Sequence, residues 1–284
     1  MIIDFHTHTF PQTLAKRAVD KLAKSARAKN YLDGTAEALC RSMAQAGIDY
    51  SVLLPVATKP EQQEDINRLA ADINAHSDET GLFSFGGIHP ENTNYRQILR
   101  DCRQNGIPGI KLHPIFQQTP IDDIRYLRII ECACENQLII LVHAGYDISH
   151  PDWDYSSVPR ICAILDRLTP DKFVLAHMGG WQNWDAVASE IAGRDVWLDT
   201  SFSLLPIAPA PGTVRTQEEA PPLGRELFLR IVREHGADRI LFGTDSPWSP
   251  QLQTINALKA SGLTGQELNA ILGENGAKLL SISQ

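Results

Sequence analysis

The sequence predicts a single α/β domain over residues 1–284, folded as a distorted (β/α)8 TIM barrel. Three observations support this fold. Short apolar runs rich in β-formers alternate with longer helix-like segments along the chain, and there are eight such runs, the number of strands that closes a barrel. Most of these runs are continuously apolar, as parallel strands covered by helices are. The length of 284 residues is close to the about 250 residues that the fold commonly takes.

The predicted strands alternate with segments of helical periodicity. We expect the strands at Ile2–Phe5, Tyr50–Val56, Leu82–Ile88, Gly109–His113, Leu138–His143, Lys172–His177, Val196–Thr200 and Arg239–Thr244. The segments between them, such as "TAEALCRSMAQAG" and "GRELFLRIVREHG", have the helical period and end near Gly or Asn stop signals. A doubly wound open sheet would alternate similarly, but nothing like GxGxxG follows the first strand, so we favour the barrel.

Two connections between predicted elements are long and irregular. Ala144–Ser157 follows the fifth predicted strand, and Phe202–Pro222 follows the seventh. The second connection contains five prolines, which stiffen it without giving it secondary structure. In a barrel both connections would lie at the C-terminal face, where substrates bind.

Composition restricts the partners. The chain has 26 basic and 34 acidic residues and a formal net charge of −8, which disfavours nucleic acid or an anionic membrane as the main partner. Apolar runs such as "LIILVHAG" are far shorter than the about 20 residues of a membrane span. Five cysteines, an odd number, indicate reduced thiols, and no signal-like segment precedes the first strand. We therefore expect a cytoplasmic protein that acts on a small molecule.

Polar residues recur at the C-terminal ends of the predicted strands. His6 and His8 form an HxH pair, and side chains two apart on a strand share a face about 6.6 Å apart, so both imidazoles could reach one zinc ion. A lone histidine at a strand end is commonly satisfied by backbone. A whole set at the strand ends of one barrel would instead meet at a single opening. The other members of this set are His89, Lys111, His113, His143, His177 and Asp245.

Five motifs carry a family resemblance. "DFHTH", "GIKLHP", "LVHAG", "LAHMGG" and "LFGTDSPW" occur in this order at the predicted strand ends. With them the chain resembles the amidohydrolase superfamily, in particular the amidohydrolase-related branch of aminocarboxymuconate-semialdehyde decarboxylase, resorcylate-type decarboxylases and pyrone-dicarboxylate hydrolase. The resemblance spans essentially the whole chain. It implies that His6, His8, His143 and Asp245 hold a divalent metal ion, with zinc expected, and that His177 stands beside them as an acid, base or polarising group.

The number of metal ions depends on Lys111. Some members of the superfamily carry a carbamylated lysine at this position, bridging two metals, in which case His177 becomes a ligand. Lys111 could instead stay unmodified and bind a substrate carboxylate. We favour one ion and keep two as the alternative. Asp4 would point into the barrel, either as an acceptor supporting the site or as a partner of Lys111.

Three functions follow from these residues. The favoured one is hydrolysis of an amide, lactone or ester by a metal-activated water, with Asp245 as general base and His177 and Lys111 stabilising the oxyanion. The alternative is non-oxidative decarboxylation of an aromatic or muconate-like acid, with His177 or Asp245 as proton donor. A barrel that binds a metal or ligand without catalysis is the third, and Asp245 as a free base argues against it.

Specificity is expected from strand-end and loop residues. The candidates for substrate binding are His89, His113, Trp153, Trp248 and Arg215. Arg215 is the only cation in its long connection and suggests a carboxylate-bearing substrate. The resemblance also implies that the protein can form a homodimer.

Overall fold

The strands of the computed structural model, which describes residues 1–214, 216 and 219–282, are all parallel. In chain order they are β1 Ile3–Thr7, β2 Tyr50–Leu53, β3 Leu82–Ser84, β4 Gly86–Gly87, β5 Gly109–Leu112, β6 Ile139–Val142, β7 Phe173–Leu175, β8 Trp197–Asp199 and β9 Ile240–Leu241. All eight predicted strands are present. Most end a few residues before the predicted boundary, because the apolar runs continue past the last ladder hydrogen bond.

Helices separate the strands. They are α1 Gln12–Ala26, α2 Ala36–Ala46, α3 Gln63–Ala75, α4 Ser77–Thr80, α5 Tyr95–Gln104, α6 Ile124–Glu135, α7 Val158–Leu165, α8 Trp184–Ala186, α9 Arg225–His235, α10 Gln251–Lys259, α11 Gly265–Asn269 and α12 Asn275–Leu280. Short 3-10 or π turns occur at Pro60–Gln62, Val187–Ile191, Ala237–Arg239 and Ala270–Glu274. Among the described residues, none of these helices is long and apolar enough to cross a membrane.

The third predicted strand is divided into β3 and β4 at Phe85. The strands form two arcs, β1-β2-β3 and β4-β5-β6-β7-β8-β9. Two asparagines of α3 supply hydrogen bonds beside the break: Asn74 donates to Ser84 O at 2.8 Å, and Asn67 Oδ1 accepts from Gly87 N at 2.8 Å. The side chains of α3 thus replace ladder bonds that the division removes.

The barrel closes where β9 meets β1. Phe5 N donates to Phe242 O at 2.8 Å, and His8 N donates to Ser246 O at 2.7 Å. We call this line of contacts the seam. The chain passes directly from β3 into β4 through Phe85, whose N donates to Leu53 O of β2 at 2.9 Å. Because the two arcs are continuous there and the seam joins the first strand to the last, the predicted TIM barrel is confirmed.

Alternate side chains of the strands fill the barrel, while the opposite faces pack on the helices. The interior cluster includes Ile3, Phe5, Val52, Leu54, Phe85, Ile139, Leu141, Val174 and Leu241, with Ala277 and Leu279 of α12. Lys111 pairs in register with Leu141, so its side chain also points inward. Above this apolar layer, towards the C-terminal ends of the strands, the interior becomes polar.

Candidate active site

Three donor atoms converge at the top of the seam. Asp245 Oδ1 lies 3.0 Å from His8 Nε2 and 3.3 Å from His6 Nε2. Asp245 N donates to His6 O at 2.8 Å, so the backbone of the seam fixes the separation of these residues. Two imidazole nitrogens and one carboxylate oxygen are ligands that suit a zinc-like ion and leave a coordination position open. Three of the four predicted metal ligands therefore meet.

The other nitrogens of the two imidazoles are engaged by acceptors. His6 Nδ1 lies 2.8 Å from Asp199 Oδ2, and His8 Nδ1 lies 2.9 Å from Leu54 O. Because a carboxylate and a carbonyl accept hydrogen bonds, both rings carry their proton on Nδ1 when neutral and present the lone pair of Nε2 to the convergence point. Burial lowers the pKa of His6, which keeps this ring in the neutral, ligating form.

Asp199 is a site residue that the sequence reasoning missed. Its fully buried carboxylate, at the end of β8, accepts hydrogen bonds from His177 N at 3.0 Å and Ser201 N at 2.9 Å, and from Ser201 Oγ. It therefore connects the backbone beside His177 to the ring of His6. The available signal was an acid at the end of an apolar run, "VWLDT".

Lys111 lies beside this donor set. Its amine is buried, 3.3 Å from His6 Nε2. Burial lowers the pKa of Lys111 to about 8, and the charges of Asp199 and Asp245 oppose that shift. With a pKa of about 8, the Lys111 amine is mainly protonated at neutral pH, and its neutral, deprotonated form is accessible.

His143 and His177 form a pair next to the convergence point. His143 Nδ1 lies 3.0 Å from His177 Nε2, and His143 Nε2 lies 3.0 Å from Tyr146 O. The ring of His177 lies 5.2 Å from that of His6. Burial lowers the pKa of both His143 and His177. In this arrangement His143, the fourth predicted ligand, contacts His177 rather than the three converging donors.

Left-handed backbone positions several of these side chains. His177 and Met178 have φ values of 59° and 54°, and Asp245 has 66°. Non-glycine residues adopt this conformation at an energetic cost. Here the left-handed conformation turns the chain sharply just after each strand. A Cβ on Gly243 would lie 2.9 Å from His6 Cβ, so close approach of the backbone at the seam also requires glycine.

A cavity of about 220 Å³ opens over the site. Its polar floor includes His6, His8, Lys111, His113, His143, Asp147, His177 and Asp245. Its walls are mostly apolar and include Phe10, Leu22, Leu54, Phe116, Ile148, Trp181, Phe202 and Trp248. The volume suits a small molecule.

The predicted substrate contacts divide into two groups. His113 and Trp248 line the cavity, and the His113 ring stacks on Phe116 with centroids 4.0 Å apart. His89 and Trp153 are not among the described residues that line it. His89 Nδ1 accepts from Glu91 N in a local turn, and Trp153 packs on His150 instead. Arg215 lies outside the described residues.

Asp4 supports the seam from another side. Its carboxylate accepts from Thr244 Oγ1 at 2.6 Å, Thr244 N at 2.9 Å and Gln251 Nε2 at 2.8 Å. Lys111 is not among the partners of this carboxylate in the described chain. Of the two roles considered for Asp4, the structure favours support, since Thr244 directly precedes Asp245.

The buried Asp4 carboxyl gives stability a pH dependence. Burial raises the pKa of Asp4 from 3.8 to about 7, against the opposing hydrogen bonds. Between these values the folded protein binds more protons than the unfolded chain, so stability present at acidic pH is lost as the pH rises through about 7. We expect Asp4→Asn to reduce this loss by up to about 4 kcal/mol. Urea unfolding of both metal-free proteins on either side of the window tests this, and identical pH dependences would contradict it.

Comparison with known proteins gives one sequence match and many structural ones. The sequence model of a family described as amidohydrolase matches residues 3–282. A search of the curated proteins finds no match. The structure is similar to 2,6-dihydroxybenzoate decarboxylase from Rhizobium, with a TM-score of 0.70 and 15% identity over 99% of this chain and 98% of that one.

Two further solved structures have the same fold. One is a candidate 2-pyrone-4,6-dicarboxylic acid hydrolase from Pseudomonas putida, with a TM-score of 0.68 and 17% identity over 100% of this chain and 98% of that one. The other is dihydroxybenzoic acid decarboxylase from Polaromonas sp. JS666, with bound manganese and 2-nitroresorcinol, a TM-score of 0.67 and 16% identity over 100% and 97%. At these identities the likeness shows the shared barrel fold.

Proposed function

Because the chain belongs to the amidohydrolase family, whose sequence model matches residues 3–282 as the motifs predicted, we propose that it hydrolyses an amide, lactone or ester bond of a small substrate. The observation that carries this proposal is the convergence of His6, His8 and Asp245 at the floor of the cavity. Such a set can hold a metal ion and leave a position for water.

The proposed cofactor is one divalent ion held by His6, His8 and Asp245. The residues fit the ion because both imidazoles direct an unprotonated nitrogen towards the Asp245 oxygen. Two nitrogen donors and one oxygen donor favour zinc, and the same donors also accept manganese. Metal analysis of the purified protein identifies the ion and its count.

When bound, such an ion acts as a Lewis acid and lowers the pKa of water towards about 7. Asp245 would contribute Oδ1 to the donor set, which leaves its other carboxylate oxygen, Oδ2, to accept the proton of the attacking water. The Lys111 amine and the His143–His177 pair line the same floor and would donate to an oxyanion of the substrate. Apolar walls limit the access of bulk water around these groups.

The cavity suggests which substrates fit. Phe116, Trp181, Phe202 and Trp248 present flat apolar faces, which suit a ring or a short unsaturated chain. Among the described lining residues, the cations are Lys111 and any protonated histidine. A substrate with one carboxylate held by Lys111 is therefore favoured over one with several.

These same walls support decarboxylation as a second candidate. An aromatic acid whose carboxylate reaches Lys111 would place its ring against Phe116 and Trp248. Asp245 or His177 would then transfer a proton to the ring carbon, and the electron pair of the breaking carbon–carboxylate bond would remain with the ring as CO₂ leaves.

One labelling experiment separates the two reactions. The metal-loaded protein is incubated in ¹⁸O-water with a panel of small amides, lactones, esters and ¹³C-carboxyl aromatic acids, and products are analysed by mass spectrometry. Hydrolysis predicts ¹⁸O in the product without release of labelled CO₂. Labelled CO₂ without ¹⁸O in the organic product would replace hydrolysis by decarboxylation. Absence of both, with metal bound, would support the non-catalytic barrel.

A further inference from the structure

A carboxylate on the floor of the cavity has one oxygen without a hydrogen-bond donor. Asp147 is buried, and its Oδ1 accepts from Ser149 N at 2.8 Å, which fixes the orientation of the carboxylate. Its Oδ2 lies 3.8 Å from His113 Nε2 and 3.9 Å from His143 Nε2. Both separations exceed the length of a hydrogen bond. Within the described chain, Asp147 Oδ2 therefore has no donor.

The His113 nitrogen that faces this oxygen carries a proton. His113 Nδ1 accepts from Phe116 N at 3.4 Å, so the proton of the imidazole lies on Nε2. The His113 ring is stacked between the rings of Phe116 and His143, with centroids 4.0 and 4.2 Å away. This stacking holds the ring, and Nε2–H has no acceptor among the residues that the structure describes. Asp147 and His113 are thus each fixed by other contacts and unpaired where they face each other.

Both unpaired atoms are open to the cavity that their residues line. Neither Asp147 Oδ2 nor His113 Nε2 is among the described side-chain atoms that are fully enclosed and unpaired. Because these two atoms are 3.8 Å apart, one oxygen of a ligand can lie about 2.8 Å from both. That oxygen has to donate to the carboxylate and accept from the imidazole. A hydroxyl does both, whereas an ammonium group cannot accept and a carboxylate cannot donate.

We propose that Asp147 and His113 bind a hydroxyl group of the substrate, which donates to Asp147 Oδ2 and accepts from His113 Nε2–H. The inference rests on the proposed function, since both residues line the cavity that contains the metal-binding donor set. It adds a hydroxyl to the ring or short chain that carries the bond to be cleaved. A site built to bond a hydroxyl discriminates against the analogue that lacks it, because its own polar groups then lose their partner.

Binding of small acids tests the subsite without turnover. Isothermal titration calorimetry on the zinc-loaded protein compares phenylacetate, which has no amide, lactone or ester bond, with its meta- and para-hydroxy derivatives and their fluoro counterparts. We expect one hydroxyphenylacetate to bind the wild type about tenfold more tightly than phenylacetate or its own fluoro counterpart.

Two variants remove one partner each. The preference for the hydroxyl should vanish in Asp147→Asn, whose amide nitrogen would face His113 Nε2–H, and in His113→Phe, which keeps a ring beside Phe116. Phenylacetate itself should bind both variants as it binds the wild type. Asp152→Asn, an exposed acid on the same connection, is the matched control and should keep the preference.

A crystal structure of the wild type with the tighter acid needs no variant, and it should place the hydroxyl oxygen within hydrogen-bond distance of Asp147 Oδ2 and His113 Nε2. The proposal would be overturned if no hydroxylated acid binds more tightly than phenylacetate, if Asp147→Asn keeps the preference, or if Asp147 and His113 bond each other directly in the complex. A failed hydrolysis assay with the preference intact would count against hydrolysis alone. Hydrolysis without the preference would reject the subsite alone.

Discussion

Replacement of Asp245 by asparagine is expected to lower kcat about 10³-fold. The neutral amide removes the negative oxygen that lies 3.0 Å from His8 Nε2 and 3.3 Å from His6 Nε2, and it cannot accept the proton of an attacking water. The variant should also bind the metal ion more weakly, since one of the three donors becomes a poor ligand. Steady-state kinetics on the substrate from the labelling panel and zinc titration measure the two effects.

Asp152→Asn is the control for this experiment, because Asp152 is exposed on a connection at the same end of the barrel. It should retain wild-type kinetics. A kcat of Asp245→Asn within tenfold of the wild type would show that this carboxylate is not the base. Circular dichroism of both variants verifies that the barrel is intact.

The Asp199→Asn variant is expected to bind the metal ion held by His6, His8 and Asp245 about 10- to 100-fold more weakly. Asparagine keeps the shape, but its amide nitrogen facing His6 Nδ1 would donate rather than accept. His6 would then carry its proton on Nε2, the nitrogen that has to bind the ion. The effect therefore acts through the tautomer of His6 and not through contact with the metal.

Competition with a coloured chelator measures this affinity. Asp195→Asn is the matched control, since the Asp195 side chain is fully exposed four residues earlier. An unchanged affinity in Asp199→Asn would show that the hydrogen bond to His6 does not select the tautomer. As a separate test, the pH dependence of metal binding should shift in Asp199→Asn and stay unchanged in the control.

Much of this site was predictable because a parallel barrel brings all its strand ends to one opening. Apolar runs located the strands, and the residues directly after them gave His6, His8 and Asp245. That inference needs only strand order and the two-residue period of HxH. It succeeds even though Asp245 is 237 residues from His8 in sequence.

The remaining details depend on side-chain rotation and on local backbone, which a residue pattern does not encode. His143 has the expected position, but its ring pairs with His177 and faces Asp147. His89 also follows a strand, but its Nδ1 accepts a hydrogen bond from Glu91 N in a local turn. Asp199 was overlooked because an acid at a strand end resembles a solvated turn until its neighbours in space are known. Left-handed conformations at His177 and Asp245 are likewise unpredictable, since neither is glycine.

The seam also determines when the proposed metal site can form during synthesis. His6 and His8 leave the ribosome before Asp245, which follows His8 by 237 residues, and before the strand that pairs with β1 at the seam. A nascent chain therefore carries two unshielded imidazoles but lacks the geometry for tight, selective capture. For the proposed ligand set, tight metal binding would therefore begin only when closure of the barrel brings Asp245 to His6 and His8.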